Sequence, residues 1–380
     1  MLCCLFLQYI ILGSGCLLIP SIERQMNIMF LYDHAQVEKI RNHALEREQR
    51  GEIEAWLLEL IYDAKLFKAF VPQELGGRGA GMPEALRLFE QASWIDGAFG
   101  WLVTIGAGGG FFSATLPEQE AVALFSGRDA VLAGSGMPTG TAQRTEGGYI
   151  VSGEWKYCSG STYASFYTAN CMIEGEGEPL MRSFAFLPEQ VEVIRDWNSL
   201  GLRATSSHSI KVQSSFVPEN MTFDIATEPR YDDPIYRVPF LPFAQTSFAA
   251  VSIGIARHFL EECRSLAAHK AWEWSEMQSR RLEALLEAVD REEQWLTEAS
   301  HLFHTIVESS WETFVQEGEL SPELWDEVGQ VSQQTASTAR SGAQTVFPLL
   351  GMTGLQQNHP LNRTWRDLHT VTQHSVLLSL

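Results

Sequence analysis

The sequence is poor in positive charge: 27 lysines and arginines stand against 47 aspartates and glutamates, a formal net charge of −20. Such a chain repels phosphate backbones and anionic lipid, which excludes nucleic acid and membrane surfaces as expected partners and leaves room only for a local basic pocket around one cofactor. Cysteine is scarce and badly spaced. Cys3, Cys4 and Cys16 crowd the start, while Cys158, Cys171 and Cys263 are scattered without a C-x-x-C pair, so neither a metal site nor a disulfide framework is expected. The scattered three read as small apolar packers in a reducing, cytoplasmic compartment. Nucleotide signatures are missing too: "GGRGAG" (76–81) and "GAGGG" (106–110) match neither G-x-G-x-x-G nor a loop ending in Gly-Lys-Ser/Thr. They read as turns or close helix approaches.

Long hydrophobic runs are confined to the first residues, "MLCCLFLQYIILGSGCLLIPSIERQM". This stretch has no basic n-region, and Gln8 and Gly13-Ser14-Gly15 interrupt it before it reaches a membrane-spanning length. Residues 1–25 are read as an over-long start, with Met26 or Met29 as the initiator, or alternatively as a leader.

What remains is an ordinary globular composition, 45% hydrophobic and 19% charged, over 380 residues. From Asp33 to about Arg128 the apolar residues fall at helical spacing: Val37, Ile40 and Ala44, then Ile53, Trp56, Leu57, Leu60 and Ile61. Pro83, after the glycine-rich turn, marks the first turn of a further helix. Between 129 and 227 the period shifts toward two in "GYIVSG", "SFYTANCMI", "SFAFL" and "SIKVQSSFVP", short β-branched and aromatic runs divided by turn residues. Beyond 228 long helices are expected at 245–271, 281–316, 322–349 and about 361–378, with Ser321-Pro322-Glu323 as a capped start. The expected domains are thus helical 26–128, β 129–227 and helical bundle 228–380.

"GGYIVSGEWKYCSGS" (147–161) poses the chemical question. Cys158-Ser159 is not on a G-x-S-x-G elbow between strand and helix, so a covalent nucleophile is not the reading. Four separated pieces instead match one pattern in order: "AKLFKAFVPQELGG" (64–77), "GGYIVSGEWKYCSG" (147–160), "WNSLGLRATSSHSIKVQSSFVP" (197–218) and "GMTGLQQNHPLNRTWRDLHTVTQH" (351–374). Together they resemble the acyl-CoA dehydrogenase superfamily, and more closely its flavin-dependent, two-component aromatic hydroxylase branch. The resemblance covers roughly residues 35 to 380 and implies an α+β fold: an N-terminal helical domain, a middle β-barrel and a C-terminal helical bundle.

The resemblance also assigns roles. It puts Tyr157 beside the flavin ring, Ser159 at the ring's reactive nitrogen, and Trp155 in the G-x-W pattern of the hydroxylase branch. A hydroxyl, donor and acceptor at once, can serve both oxidised and reduced flavin. By the same likeness Arg203, Thr205 and Ser206 belong to a loop approaching the flavin, Arg203 as a partner for phosphate or ring edge. Arg366 is counted with the cofactor-side residues, although Arg366-Asp367 also reads as an ion pair or helix-end contact. His374 falls where the hydroxylase branch has a histidine near the substrate hydroxyl or the flavin, and is the candidate acid or base. Dehydrogenases often carry a glutamate base just after the Arg-Asp pair; here the residues are His374-Ser375-Val376. Some relatives have a flavin-facing histidine after the Gly-Trp pair, where this chain has Gly108-Gly109-Gly110, which would make room for a larger substrate. Others have an aspartate in the first helix, where this chain has Asn42.

The implied protein takes reduced FMN or FAD from a separate reductase, oxidises a small aromatic molecule, and assembles as a homotetramer. Two alternatives stay open: a dehydrogenase with bound FAD and its base at another glutamate, and a flavin-free scaffold.

Overall fold

The computed structural model describes residues 31–175, 180–277 and 279–378, so the apolar first residues, with Met26 and Met29, lie outside the described residues. Asp33 opens the first helix with a reciprocal cap: its carboxylate accepts from Gln36 N at 2.8 Å, and the Gln36 side chain accepts from Asp33 N at 3.0 Å. Helices α1 (His34–Asn42), α2 (Ala44–Arg50), α3 (Ala55–Asp63), α4 (Met82–Ile95), α5 (Gly97–Gly109) and α6 (Glu118–Phe125) precede the sheet. Asp96 caps α5 by accepting from Phe99 N at 2.9 Å. The bundle that follows the sheet comprises α7 (Phe240–Met277), α8 (Ser279–Glu317), α9 (Pro322–Val346) and α10 (Pro360–Val371). Ser321 caps α9 as its sequence suggests, and α4 packs directly on α7, where a Cβ on Gly254 would lie 2.2 Å from Glu90 O.

The middle module is a seven-stranded mixed sheet in the order β5-β6-β2-β1-β3-β4-β7. Its strands are β1 (Leu132–Thr145), β2 (Gly148–Cys158), β3 (Phe166–Glu174), β4 (Leu180–Phe186), β5 (Glu192–Ile194), β6 (His208–Pro218) and β7 (Thr222–Phe223). β1 and β3 run parallel and the other pairs antiparallel. The sheet folds over its own core of Tyr149, Val151, Trp155, Cys158, Phe184, Phe186 and Ile210. "SGMPTGTA" (135–142) lies inside β1, with a register shift between Ser135 and Gly140. Glycine is needed at 140 because a Cβ there would stand 2.1 Å from the Trp155 ring.

At the other end, the helix anticipated to run to 378 stops at Val371. The chain then turns, and His374 heads a short 3-10 turn, Ser375–Leu377. The carbonyl of Val376 holds this turn in place by accepting from Gln245 and Gln333. Leu377 anchors it in the core.

One loop joins the three regions. Residues 195–207, between β5 and β6, lie on α10: Gly201 N donates to Thr370 Oγ1 at 2.9 Å, Leu202 N to Asp367 Oδ1 at 2.6 Å, and Arg366 to Leu200 O at 2.8 Å. The same loop reaches the N-terminal helices, where Ser206 Oγ donates to Gly51 O at 3.1 Å. The approach to α10 is so close that a Cβ on Gly201 would sit 2.2 Å from Arg366 O, a backbone atom that cannot yield. Gly201→Ala is therefore expected to lower stability by about 1–3 kcal/mol, the usual cost of overpacking a rigid contact. Urea unfolding of the two proteins checks this, and an unchanged midpoint would contradict it.

Candidate functional site

β2 would end in simple alternation if its backbone were regular, with Trp155 and Tyr157 on one face. It is not regular. Tyr157 has φ +66°, and the pairing with β6 shifts between Trp155 and Cys158. The break sends Trp155 and Cys158, three residues apart, into the sheet core together, both fully buried. Trp155 therefore presents no face to a flavin; its indole N–H donates to Asn170 O at 2.9 Å and its ring meets Phe186. The Cys158 thiol is pushed up to about 12 by burial, which removes it as a nucleophile. Tyr157 is thrown outward, 70% exposed, with its ring edge-on to Trp197 at 6.2 Å.

Ser159 follows, buried, and touches another element altogether. Trp101 on α5 donates its indole N–H to Ser159 Oγ at 2.9 Å, and Ser159 Oγ lies 2.7 Å from Ser207 Oγ. Thr205 Oγ1 lies 2.7 Å from Ser207 Oγ and donates to Leu202 O at 2.8 Å. Trp101 also packs against Phe248 of α7 at 4.9 Å and lies 6.3 Å from His374, which meets Phe248 edge-on at 4.6 Å. Ser159, Thr205 and His374, from three distant parts of the chain, are thus drawn into one cluster through Trp101, Ser207 and Phe248. These three linking residues were not singled out in the sequence. Ser207 was within reach, beside the Thr205-Ser206 pair, but nothing local marks Trp101 or Phe248 as anything but core.

The remaining candidates fall elsewhere. Ser206 bonds to Gly51 and serves the joint between domains. Arg203 is exposed, and among the described residues no hydrogen bond or ion pair engages its side chain, so it remains available to an anion. Arg366 is not available. Its guanidinium is buried and pairs with Glu48, donates to Asn362 Oδ1 at 2.7 Å and to Leu200 O, and does not pair with Asp367. It holds α10 to α2 rather than facing a cofactor.

Asp367 instead faces Leu202 N. Burial, reinforced by the nearby Asp96, pushes its carboxyl up to about 7. Asp96 goes the other way: burial raises it, but the Arg47 guanidinium 3.3 Å away, with Arg363, the Phe99 N–H and His258, together outweigh that and hold it low. Asp96 is thus ionised at neutral pH, while Asp367 keeps its proton until the pH approaches about 7. His374 is exposed to solvent on one side, but loss of solvent where it meets Trp101 and Phe248 lowers its pKa and no charged group opposes this, so it is mostly neutral at pH 7. Its Nδ1 accepts from Val376 N at 3.5 Å, which leaves the proton on Nε2.

Comparison with known proteins agrees with this layout. Residues 34–119 match the family model "Acyl-CoA dehydrogenase, N-terminal domain", and residues 246–378 match "Acyl-CoA dehydrogenase, C-terminal domain". The chain belongs to the acyl-CoA dehydrogenase superfamily. Within it, the chain is 28% identical over 82% of its length to an indole-3-acetate monooxygenase of Pseudomonas putida, covering 80% of that protein. It is 24% identical to the flavin-dependent monooxygenase oxygenase subunit HsaA of Rhodococcus jostii, over 90% of this chain and 92% of that one. Its fold matches that of XiaF from Streptomyces sp., solved in complex with FADH2 and glycerol, at a TM-score of 0.76 and 19% identity, covering 90% and 93% of the two chains. The superfamily's flavin-dependent monooxygenases are therefore the branch it resembles.

The residues present suit a flavin ring. Tyr157 offers an unpacked aromatic face, Ser159 a buried hydroxyl with capacity for one more bond, and Arg203 a free cation for a phosphate. The glycine run of α5 is uneven. A Cβ on Gly106 would meet Phe67 at 2.4 Å and one on Gly109 would meet Leu132 at 2.4 Å, whereas at Gly108 the nearest atom is Phe243 Cε1 at 3.9 Å. Of the three, Gly108 alone has ordinary room for a side chain.

Two outcomes follow. Gly108→Ala should stabilise the protein by up to about 1 kcal/mol through helix propensity, while Gly109→Ala destabilises it, as thermal melts will show. Asp367→Asn removes an acid whose folded state holds a proton that the unfolded state has lost between about pH 4 and 7, so wild-type stability falls across that window as pH rises. The melting temperature of the variant, relative to wild type, should therefore climb from pH 5 to pH 8; a constant difference would refute the raised carboxyl.

Proposed function

We propose that this chain is the oxygenase component of a two-component flavin-dependent monooxygenase acting on a small aromatic molecule. In that reaction a substrate C–H becomes C–OH, the second oxygen atom leaves as water, and reduced flavin is oxidised. The bound flavin, FMN or FAD delivered in reduced form by a separate reductase, supplies the electrons that activate dioxygen. The observation that carries the reading is the cluster of Trp101, Ser159, Phe248 and His374, in which a neutral histidine sits among aromatic rings.

Each residue has a task. Tyr157 and Ser159 would bear on the ring, and Arg203 on the cofactor's polar end, while Thr205 and Ser206, fully buried, would support the loop that carries Arg203. Trp101 holds Ser159 in place and walls the substrate space with Phe248. His374 would donate its Nε2 hydrogen to a substrate oxygen, or take a phenolic proton after a change of tautomer. Aromatic walls at Trp101 and Phe248 favour a flat substrate. The names of relatives agree, since one acts on indole-3-acetate and another is described as an oxygenase subunit. A dehydrogenase needs a carboxylate poised at a carbon-bound proton, and among the described residues no carboxylate is hydrogen-bonded or ion-paired to this cluster.

We place the protein in the cytoplasm and assign it a homotetrameric state. The buried free thiols Cys158, Cys171 and Cys263 suit a reducing compartment, and no helix among the described residues is long and apolar enough to cross a membrane. Trp295 and Leu302, seven residues apart on α8 and each about half exposed, form an apolar stripe suited to self-association. Light scattering on the purified protein tests the assembly.

The activity is tested by oxygen consumption with supplied reduced flavin and a panel of phenols and indoles, against dye reduction with acyl-CoA. Turnover only with the thioester would reverse the assignment. His374→Asn should cut hydroxylated product about 10²-fold or more while flavin oxidation by oxygen continues, so that product formed per oxygen consumed collapses.

A further inference from the structure

Ser159 resembles a hydroxyl free to serve either redox state of a flavin, but its surroundings fix its direction. Three oxygen–oxygen contacts run in series: Ser159 Oγ to Ser207 Oγ at 2.7 Å, Ser207 Oγ to Thr205 Oγ1 at 2.7 Å, and Thr205 Oγ1 to Leu202 O at 2.8 Å. Two oxygens this close repel unless a hydrogen lies between them. Three contacts therefore need three hydrogens, and the three hydroxyls supply one each.

The carbonyl end sets the order. Leu202 O, which also accepts from Trp197 Nε1 at 3.0 Å, has no hydrogen to give, so Thr205 must spend its own there. Ser207 must then donate to Thr205, and Ser159 to Ser207. At the other end Trp101 Nε1 can only donate, and does so to Ser159. Ser159 is left with its hydrogen committed, one lone pair taken and one lone pair open. Ser159, Thr205, Ser207 and Trp101 are all buried, so water does not scramble the order.

We propose that Ser207 and Thr205 are specificity-determining positioning residues that make Ser159 an acceptor only, and thereby bias the site toward reduced flavin. The assignment rests on the reading that Ser159 meets the flavin ring. Reduction adds a hydrogen to a ring nitrogen that in the oxidised ring is a bare acceptor. An acceptor-only hydroxyl bonds the first and repels the second. The bias suits an oxygenase fed by a separate reductase, because the spent cofactor leaves a site that no longer matches it.

The test uses the full-length protein and measures dissociation constants for oxidised FMN and FAD by fluorescence, and for the reduced forms anaerobically after photoreduction. Wild type should prefer the reduced form. Ser207→Ala frees the Ser159 hydrogen and should shrink the reduced-to-oxidised preference about tenfold, chiefly by tighter binding of the oxidised form. The midpoint potential of the bound flavin should fall by the corresponding ~30 mV for a two-electron couple. Thr205→Val should act in the same direction without touching Ser207, and Ser207→Thr should restore the wild-type ratio. A ratio unchanged in both disabling variants, with flavin still bound, would overturn this assignment while leaving the flavin reading intact. Failure of wild type to bind flavin in either redox state would overturn both.

Discussion

The contact on which the rest depends is the seating of Leu200, Gly201 and Leu202 on helix α10. A sheet and a helical bundle have no intrinsic preference for one relative placement, and apolar packing between them is non-directional. Here three directed bonds, from Gly201 N, Leu202 N and the Arg366 guanidinium, fix the register, and the missing side chain at 201 lets the two backbones close. Arg366 extends the same anchorage to Glu48 of α2, and Ser206 reaches Gly51. A single loop thus references the sheet to both helical regions.

The chemistry inherits that reference frame. Leu202 turns its N–H to Asp367 and its carbonyl to Thr205, so one residue connects the bundle to the hydroxyl series that ends at Ser159. Trp101 supplies the other tie, from α5, and its ring carries the cluster on to Phe248 and His374. Groups with no shared local sequence are thereby held at hydrogen-bond and ring-contact distances. That is what preorganisation requires, because loosely held groups would have to be ordered during the reaction.

The sequence exposed the architecture well, for a physical reason: helical and strand periods differ, and they switch near Asp129 and again after Pro242. Ser159, Thr205 and His374 stood out because they lie in stretches whose order along the chain matches a known pattern, and the structure draws those three into one cluster. Trp155 was counted with the cofactor residues through the G-x-W resemblance, whereas the break at the left-handed Tyr157, which no residue pattern signals, leaves it buried in the sheet core. Arg366 was misassigned because its partner, Glu48, is more than three hundred positions away and looks like any surface acid. Trp101 and Phe248 were invisible as site residues, since an aromatic on a buried helix face reads as core until its neighbours are known.

Three of the five non-glycine residues with positive φ among the described residues, Tyr157, Leu202 and Ser206, lie in the two segments that build the site. Tyr157 is the telling one. Its conformation costs roughly 1 kcal/mol or more that a glycine would largely avoid, and its ring, mostly in solvent, returns little of that through packing. Folding stability alone would favour discarding the side chain. The side chain at 157 thus carries a conformational cost that its one ring contact, edge-on to Trp197, does little to offset within the folded chain.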